Sequence, residues 1–190
     1  MELSNLNIKN GLCLSLGANI DSKFGSPINS LIESKERIEK IINNLIHLNH
    51  SDNLEKNTLK KMFNWSSLYQ TSPLGVLDKQ PDYINCLLLV KGDLLPPSSN
   101  EKARFLLKEF QNLEKEFGRN KSSEDQRWLP RPLDIDIIWW DDLCINDDDL
   151  KIPHPRFKNR NFIISPLAEL LSITQKIEKL NVKNLSLIHI

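Results

Sequence analysis

Short apolar runs closed by glycine or proline alternate with two long segments of helical spacing. Their order, strand, helix, strand, strand, helix, strand, leaves few folds open. The first run, Gly11 to Gly17 (GLCLSLG), suits a buried strand with a sharp exit at Gly17-Ala18-Asn19. Ser26 caps and Pro27 opens a helix in which Ile28, Leu31, Ile32, Ile38, Ile41, Ile42 and Leu45 keep helical spacing. From about Asn43 to Lys61 no clean period survives, which reads as a surface connection with room for some helix. Met62 to Gln70 and Tyr83 to Val90 read as strands joined by the long loop TSPLGVLDKQPD. A second helix opens at Ser98, in capping-box spacing with Glu101, carries Ala103, Leu106, Leu107, Phe110, Leu113 and Phe117 as its apolar stripe, and ends at Gly118. Leu133 to Trp140 (LDIDIIWW) is a further strand, and Phe162 to Leu171 (FIISPLAELL) an extended entry to a final helix interrupted at Pro166. This is the order of an α+β, ferredoxin-like split βαβ: an antiparallel sheet with helices packed on it and additional elements. At 190 residues, 39% apolar and 26% charged, the chain is expected to form one domain over 1–190.

The charge balance narrows the function classes. With 25 basic and 25 acidic residues the net charge is zero, so the chain lacks the whole-surface basic field of most nucleic-acid binders, and a polyanion must meet a local patch. No apolar run approaches the roughly 18–20 residues of a membrane span, and MELSNLNIKN lacks a signal-peptide pattern, so a cytoplasmic location is expected. Cys13, Cys86 and Cys144 stand far apart, each in an apolar stretch, and read as buried thiols. His47, His50, His154 and His189 show no zinc spacing; a metal, if bound, is bound by oxygen.

Strand alternation puts Asp134 and Asp136 on one face and Leu133, Ile135 and Ile137 on the other. The two carboxylates can converge on Mg²⁺, or simply form a solvated acidic face. Arg119, Lys121, Arg127 and Arg131 precede them, and His154, Arg156, Lys158 and Arg160 follow, a bracket of cations that suits a polyphosphate as well as solvated loops. Neither GxxxxGK[ST] nor GxGxxG occurs, so any phosphate is gripped by side chains. Glu114 lies on the apolar stripe of the second helix, with Gln111 one turn away; its carboxylate either pairs with an arginine or accepts from a ligand. Tyr83 and Asn85 share a strand face, a pairing that suits a flat heterocycle and also an ordinary strand start.

Read together, LSLGAN, SSLYQTSPLG, QPDYIN, RWLPRPLDIDII and IPHPRFKNRNFIISPLAEL resemble the 6-hydroxymethyl-7,8-dihydropterin pyrophosphokinases, over about two thirds of the chain. The resemblance implies transfer of a diphosphoryl group from ATP to the hydroxymethyl group of a dihydropterin, with release of AMP, in folate biosynthesis. It implies that Asp134 and Asp136 hold two Mg²⁺ ions and that Arg119 and Arg131 join them in catalysis. Gln111, Glu114, Arg119, Lys121, Arg131, Ile137, His154 and Arg160 would face the nucleotide. Gly17, Thr71, Ser72, Leu74, Tyr83, Asn85, Trp128 and Phe162 would form the pterin site, with Tyr83 and Phe162 sandwiching the ring and Trp128 closing over it. Ala18, Lys121 and Leu129 stand where serine, arginine and glycine are frequent. The partners expected are small molecules, neither nucleic acid nor membrane, and the chain is expected to be a monomer. Two loops, Leu74 to Asp82 and Arg119 to Pro130, are the expected lids, since water must be kept from the transferred group. The rival readings are a non-catalytic ferredoxin-like module for a small ligand or RNA, and a transferase that uses the paired aspartates on another nucleotide.

Overall fold

The computed structural model describes residues 11–49, 56–73, 80–91, 94–119, 129–171 and 185–188, with residues 56–58 and 185–188 described by backbone alone. The elements in chain order are β1 (Leu12–Ala18), α1 (Pro27–His47), α2 (Lys56–Met62), β2 (Phe63–Trp65), β3 (Leu68–Thr71), β4 (Tyr83–Val90), α3 (Asn100–Glu116), β5 (Asp134–Trp140), β6 (Ile145–Asn146), β7 (Lys151–Ile152), a 3₁₀ turn (Phe157–Asn159), α4 (Asn161–Leu170) and β8 (Leu185–Ile188).

Every residue of β1 is buried because β1 is central, pairing antiparallel with β4 on one side and β5 on the other. The sheet runs β5-β1-β4-β3-β8, with β2 also on β4, and its inner part is the order of a split βαβ. Helices α1 and α3 cover one face. There Leu14, Leu16 and Ala18 of β1 and Ile84, Cys86 and Leu88 of β4 meet Leu31, Ile38 and Ile42 of α1 and Ala103, Leu106 and Phe110 of α3 in one core. On the opposite face α4 covers only part of the sheet, packing Ile163 and Leu167 against Cys13, Leu87, Leu89, Ile138 and Trp139. The rest of that face, toward the start of β4 and β5, is where the polar residues gather.

Several expectations change in detail. The strand expected from Met62 to Gln70 is two: Ser66 donates its N–H to Leu87 and accepts the Leu87 N–H on its hydroxyl, while Ser67 donates its N–H and hydroxyl to Glu169 of α4. A carboxylate far away in sequence thus fixes the break. The N-cap of α3 is Ser99, whose hydroxyl accepts from the Lys102 N–H, rather than Ser98. Pro166 does not interrupt the last helix: α4 is helical from Asn161 through Leu170, held by the burial of Ile163, Pro166, Leu167 and Ala168. Cys13 and Cys86 are buried as expected, but Cys144 is exposed, in the turn after β5. Part of the connection between Asn43 and Lys61 is helical, α1 reaching His47 and α2 beginning at Lys56; residues 50–55 lie outside the described residues.

In β5 the alternation breaks once. Register slips between Cys13 and Leu14, so Ile138 and Trp139 both face α4, and Trp140 returns to the core shared with α1. The carbonyl of Ile138 accepts the His154 N–H at 2.8 Å, which seats the segment after β7 beside the two aspartates.

Candidate active site

The part of the sheet that no described helix covers presents a row of residues set by register. Gly17 on β1 lies between Asn85 on β4 and Asp134 on β5; one step along, Ser15 lies between Leu87 and Asp136; and Thr71 on β3 pairs with Tyr83. The alternation read from LDIDII therefore holds, with Leu133, Ile135 and Ile137 in the core and both aspartates half-buried on the opposite face.

At the β3 side the floor is apolar and amide-bearing. Asn85 is 4% exposed and donates from Nδ2 to Thr71 Oγ1 at 2.9 Å, which orients its carbonyl oxygen toward Gly17. A Cβ on Gly17 would stand 3.0 Å from that oxygen and 3.7 Å from the Tyr83 ring, so only glycine leaves this surface flat. Burial raises the Tyr83 pKa, partly offset by the Arg131 guanidinium beside it. Ser72 is exposed just beyond β3.

At the β5 side the charges interlock. Arg119 follows Gly118, whose φ of +101° closes α3 and turns the chain back. Its Nη1 donates to Glu114 Oε1 at 2.5 Å and to Asp134 Oδ1, while Arg131 Nη1 donates to Asp134 Oδ2 at 2.9 Å. Glu114, 3% exposed, also accepts the Ile135 N–H at 2.9 Å on the outer edge of β5. Of its two open roles, Glu114 takes the arginine pairing. Gln111 lies one turn earlier on α3, half-buried, and Ile137 is buried in the core below the aspartates.

Burial and the neighbouring Asp134 raise the Asp136 carboxyl to about 7, against the pull of Arg160 and Arg119. Burial and the cations Arg160 and Arg156 lower His154 to about 4, so its imidazole is neutral at pH 7. Arg160 opens α4 and lies 5.4 Å over the Phe162 ring, bringing a guanidinium and an aromatic face to the same rim. Among the described residues no group of three or more His, Cys, Asp or Glu is placed to hold a metal ion. Two oxygen donors on one face, one of which is held back from ionising by burial and by its partner, nonetheless fit a hard divalent cation that takes its other ligands from phosphate and water.

The fold thus brings together Asp134, Asp136, Arg119, Arg131, Glu114, Arg160 and His154 on one side and Gly17, Thr71, Tyr83 and Asn85 on the other, with Phe162 at the rim. Leu74, Lys121 and Trp128, and most of both expected lids, lie outside the described residues. One residue carried no role in the sequence reading although it sits in LSLGAN. Asn19 is 2% exposed, and its side chain bonds both to Arg131 and to the segment before β4. Its signal was a polar side chain directly after a fully buried strand.

A family model for 7,8-dihydro-6-hydroxymethylpterin-pyrophosphokinase matches residues 13–172, which contain every residue of this site. The chain belongs to that family. The 2-amino-4-hydroxy-6-hydroxymethyldihydropteridine pyrophosphokinase of Haemophilus influenzae is 39% identical over 107 residues, 56% of this chain and 60% of that protein. Its namesake in Bacillus subtilis is 37% identical over 114 residues, 60% of each chain. That of Aquifex aeolicus is 29% identical over 157 residues, 83% of this chain and 78% of the relative. The match spans 60% of the length of the first two relatives. No helix among the described residues of this pyrophosphokinase-family chain is long and apolar enough to cross a membrane.

Proposed function

We propose that the protein transfers a diphosphoryl group from MgATP to the hydroxymethyl group of 6-hydroxymethyl-7,8-dihydropterin, releasing AMP, as a folate-biosynthetic enzyme. The observation that carries this reading is the sheet face on which a flat floor, Gly17 with Tyr83 and Asn85, adjoins the Asp134–Asp136 pair inside a ring of arginines. Tyr83 and Phe162 stack the pterin, and Asn85, with the backbone of Thr71 to Leu74, reads its polar edge. Gln111, Lys121, Arg131, His154 and Arg160 hold the triphosphate and its nucleoside, and Trp128 closes the pterin site. Asp134 and Asp136 would hold two Mg²⁺ ions, which when bound would neutralise part of the phosphate charge.

In the reaction the substrate hydroxyl oxygen bonds to the β-phosphorus as the bond from that phosphorus to the α,β-bridging oxygen breaks. The bond electrons leave with AMP and the hydroxyl proton passes to solvent. The protein's task is alignment and charge. Arg119 and Arg131, locked to Asp134 in the described state, hold positive charge where the equatorial oxygens and the leaving AMP gain negative charge. The neutral His154 donates or accepts a hydrogen bond without adding charge. The enzyme acts as a monomer in the cytoplasm, on small molecules.

The test is ATP labelled separately at the β- and γ-phosphorus. Diphosphoryl transfer moves both labels to the pterin together; a pterin that acquires the γ label alone overturns the reading.

A further inference from the structure

Asn19 stands at the end of the central strand, where the lead-ins to both neighbouring strands pass within hydrogen-bonding reach. Toward β5 it makes a two-point grip on the backbone of one residue: its N–H donates to the Arg131 carbonyl at 3.0 Å and its Oδ1 accepts the Arg131 N–H at 2.7 Å. Toward β4 its Nδ2 donates to the Pro81 carbonyl at 3.2 Å and to Gln80 Oε1 at 3.5 Å. Arg131 is the residue whose guanidinium pairs with Asp134, and Pro81 lies two residues before Tyr83. We propose that Asn19 is a positioning residue that holds the phosphate-gripping and pterin-stacking halves of the site in register. This rests on the diphosphoryl-transfer reading above.

The chemistry of the position demands an amide. Only Asn offers an acceptor and a donor on one short, flat head, and at 2% exposure water cannot stand in for either. Aspartate keeps the acceptor for Arg131 but turns an anionic oxygen toward the Pro81 and Gln80 oxygens, so it severs the pterin-side tether alone. Alanine severs both side-chain tethers and leaves only the backbone bond to Arg131. The two substitutions therefore separate the halves. A residue that merely stabilised the fold would lower the folded fraction, and with it apparent kcat, while leaving both KM values alone.

The experiment compares wild type, Asn19→Asp, Asn19→Ala and the remote core variant Ile46→Val. For each, KM and kcat are measured for ATP and for 6-hydroxymethyl-7,8-dihydropterin, and amide hydrogen exchange is followed in free protein at residues 80–84 and 129–134. Asn19→Asp is expected to raise the dihydropterin KM at least tenfold with the ATP KM within threefold, and to speed exchange at 80–84 only. Asn19→Ala raises both KM values and speeds exchange in both segments; Ile46→Val lowers thermal stability with both KM values unchanged. KM values in Asn19→Asp and Asn19→Ala within twofold of wild type, or losses confined to kcat, overturn the proposal. Should Asn19→Ala not fold, Asn19→Asp decides through the dihydropterin KM. If wild type makes no diphosphorylated pterin, the functional reading fails by itself. The exchange pattern then judges the clamp: separate loosening of 80–84 in Asn19→Asp supports it, and unchanged exchange overturns it.

Discussion

Gly17→Ala is the smallest perturbation that separates fold from function in this chain. Gly17 has an ordinary strand backbone, so alanine meets no conformational penalty there, and its gain from a less flexible unfolded chain is about 0.4–1 kcal/mol. Against this, the new methyl would stand 3.0 Å from Asn85 Oδ1. Asn85 cannot swing away freely, because it is 4% exposed and tied to Thr71 Oγ1. Crowding of that size costs about 1 kcal/mol. The two effects nearly cancel, and Tm should stay within about 4 °C of wild type. The functional effect does not cancel, since the methyl and the displaced amide both stand on the floor where the heterocycle would lie. Losing the fit of one buried hydrogen bond, about 1.4 kcal/mol, corresponds to a roughly tenfold rise in the dihydropterin KM. The ATP KM should move by less than about threefold, because among the described residues none of those proposed to grip phosphate touches the site of the added methyl. Thermal unfolding and steady-state kinetics with each substrate varied would measure all three. A well-folded Gly17→Ala protein with an unchanged dihydropterin KM would refute the assignment of Gly17, Asn85 and Tyr83 as the pterin floor.

Glu114→Gln keeps an acceptor for the Ile135 N–H but removes the charge opposite Arg119, and should cost about 2–3 kcal/mol of stability by urea unfolding; a loss under about 0.5 kcal/mol would contradict the buried pairing. Asp134→Ala removes one partner from each of Arg119 and Arg131 and should lower turnover by at least about a hundredfold while the far-UV spectrum stays native; near-normal turnover would remove Asp134 from the phosphate site. In metal-free buffer two groups pull stability in opposite directions with pH. Asp136, raised to about 7 by burial and Asp134 and facing Arg160, Glu114 and Arg119, stabilises the fold at low pH and loses that contribution as pH rises from about 4 through 7. His154, lowered to about 4 by burial, Arg160 and Arg156 and facing Asp134, withholds stability below that value and restores it as pH rises to about 6.5. Asp136→Asn should therefore leave a stability that rises between pH 4 and 6.5, and His154→Gln one that falls between pH 4 and 7; chemical denaturation across that range would show both slopes, and slopes of the same sign would refute the assignment.

What could be read from the sequence was whatever depended on local periodicity. The alternation of LDIDII placed both aspartates on one face, and glycine and proline punctuation marked the strand ends, because these follow from backbone geometry within a few residues. The departures depend on partners remote in sequence. Ser66 and Ser67 break a strand because Glu169 is there to receive Ser67, and α4 keeps Pro166 because the sheet buries that side of the helix. The bulge at Ile138 and the link from Asn19 to Arg131 are likewise tertiary, and no spacing rule within one segment encodes them. Adjacent serines left the α3 cap ambiguous by one residue, since either hydroxyl can reach an N–H of the first turn.

Separation of the nucleotide products decides whether this sheet face couples a dihydropterin to the β-phosphorus of ATP. Purified protein is incubated with MgATP, with and without 6-hydroxymethyl-7,8-dihydropterin, and the nucleotides are separated. AMP is expected in step with a diphosphorylated pterin, and only when the pterin is present; ADP as the product, or no turnover by folded protein supplied with Mg²⁺, would overturn the assignment.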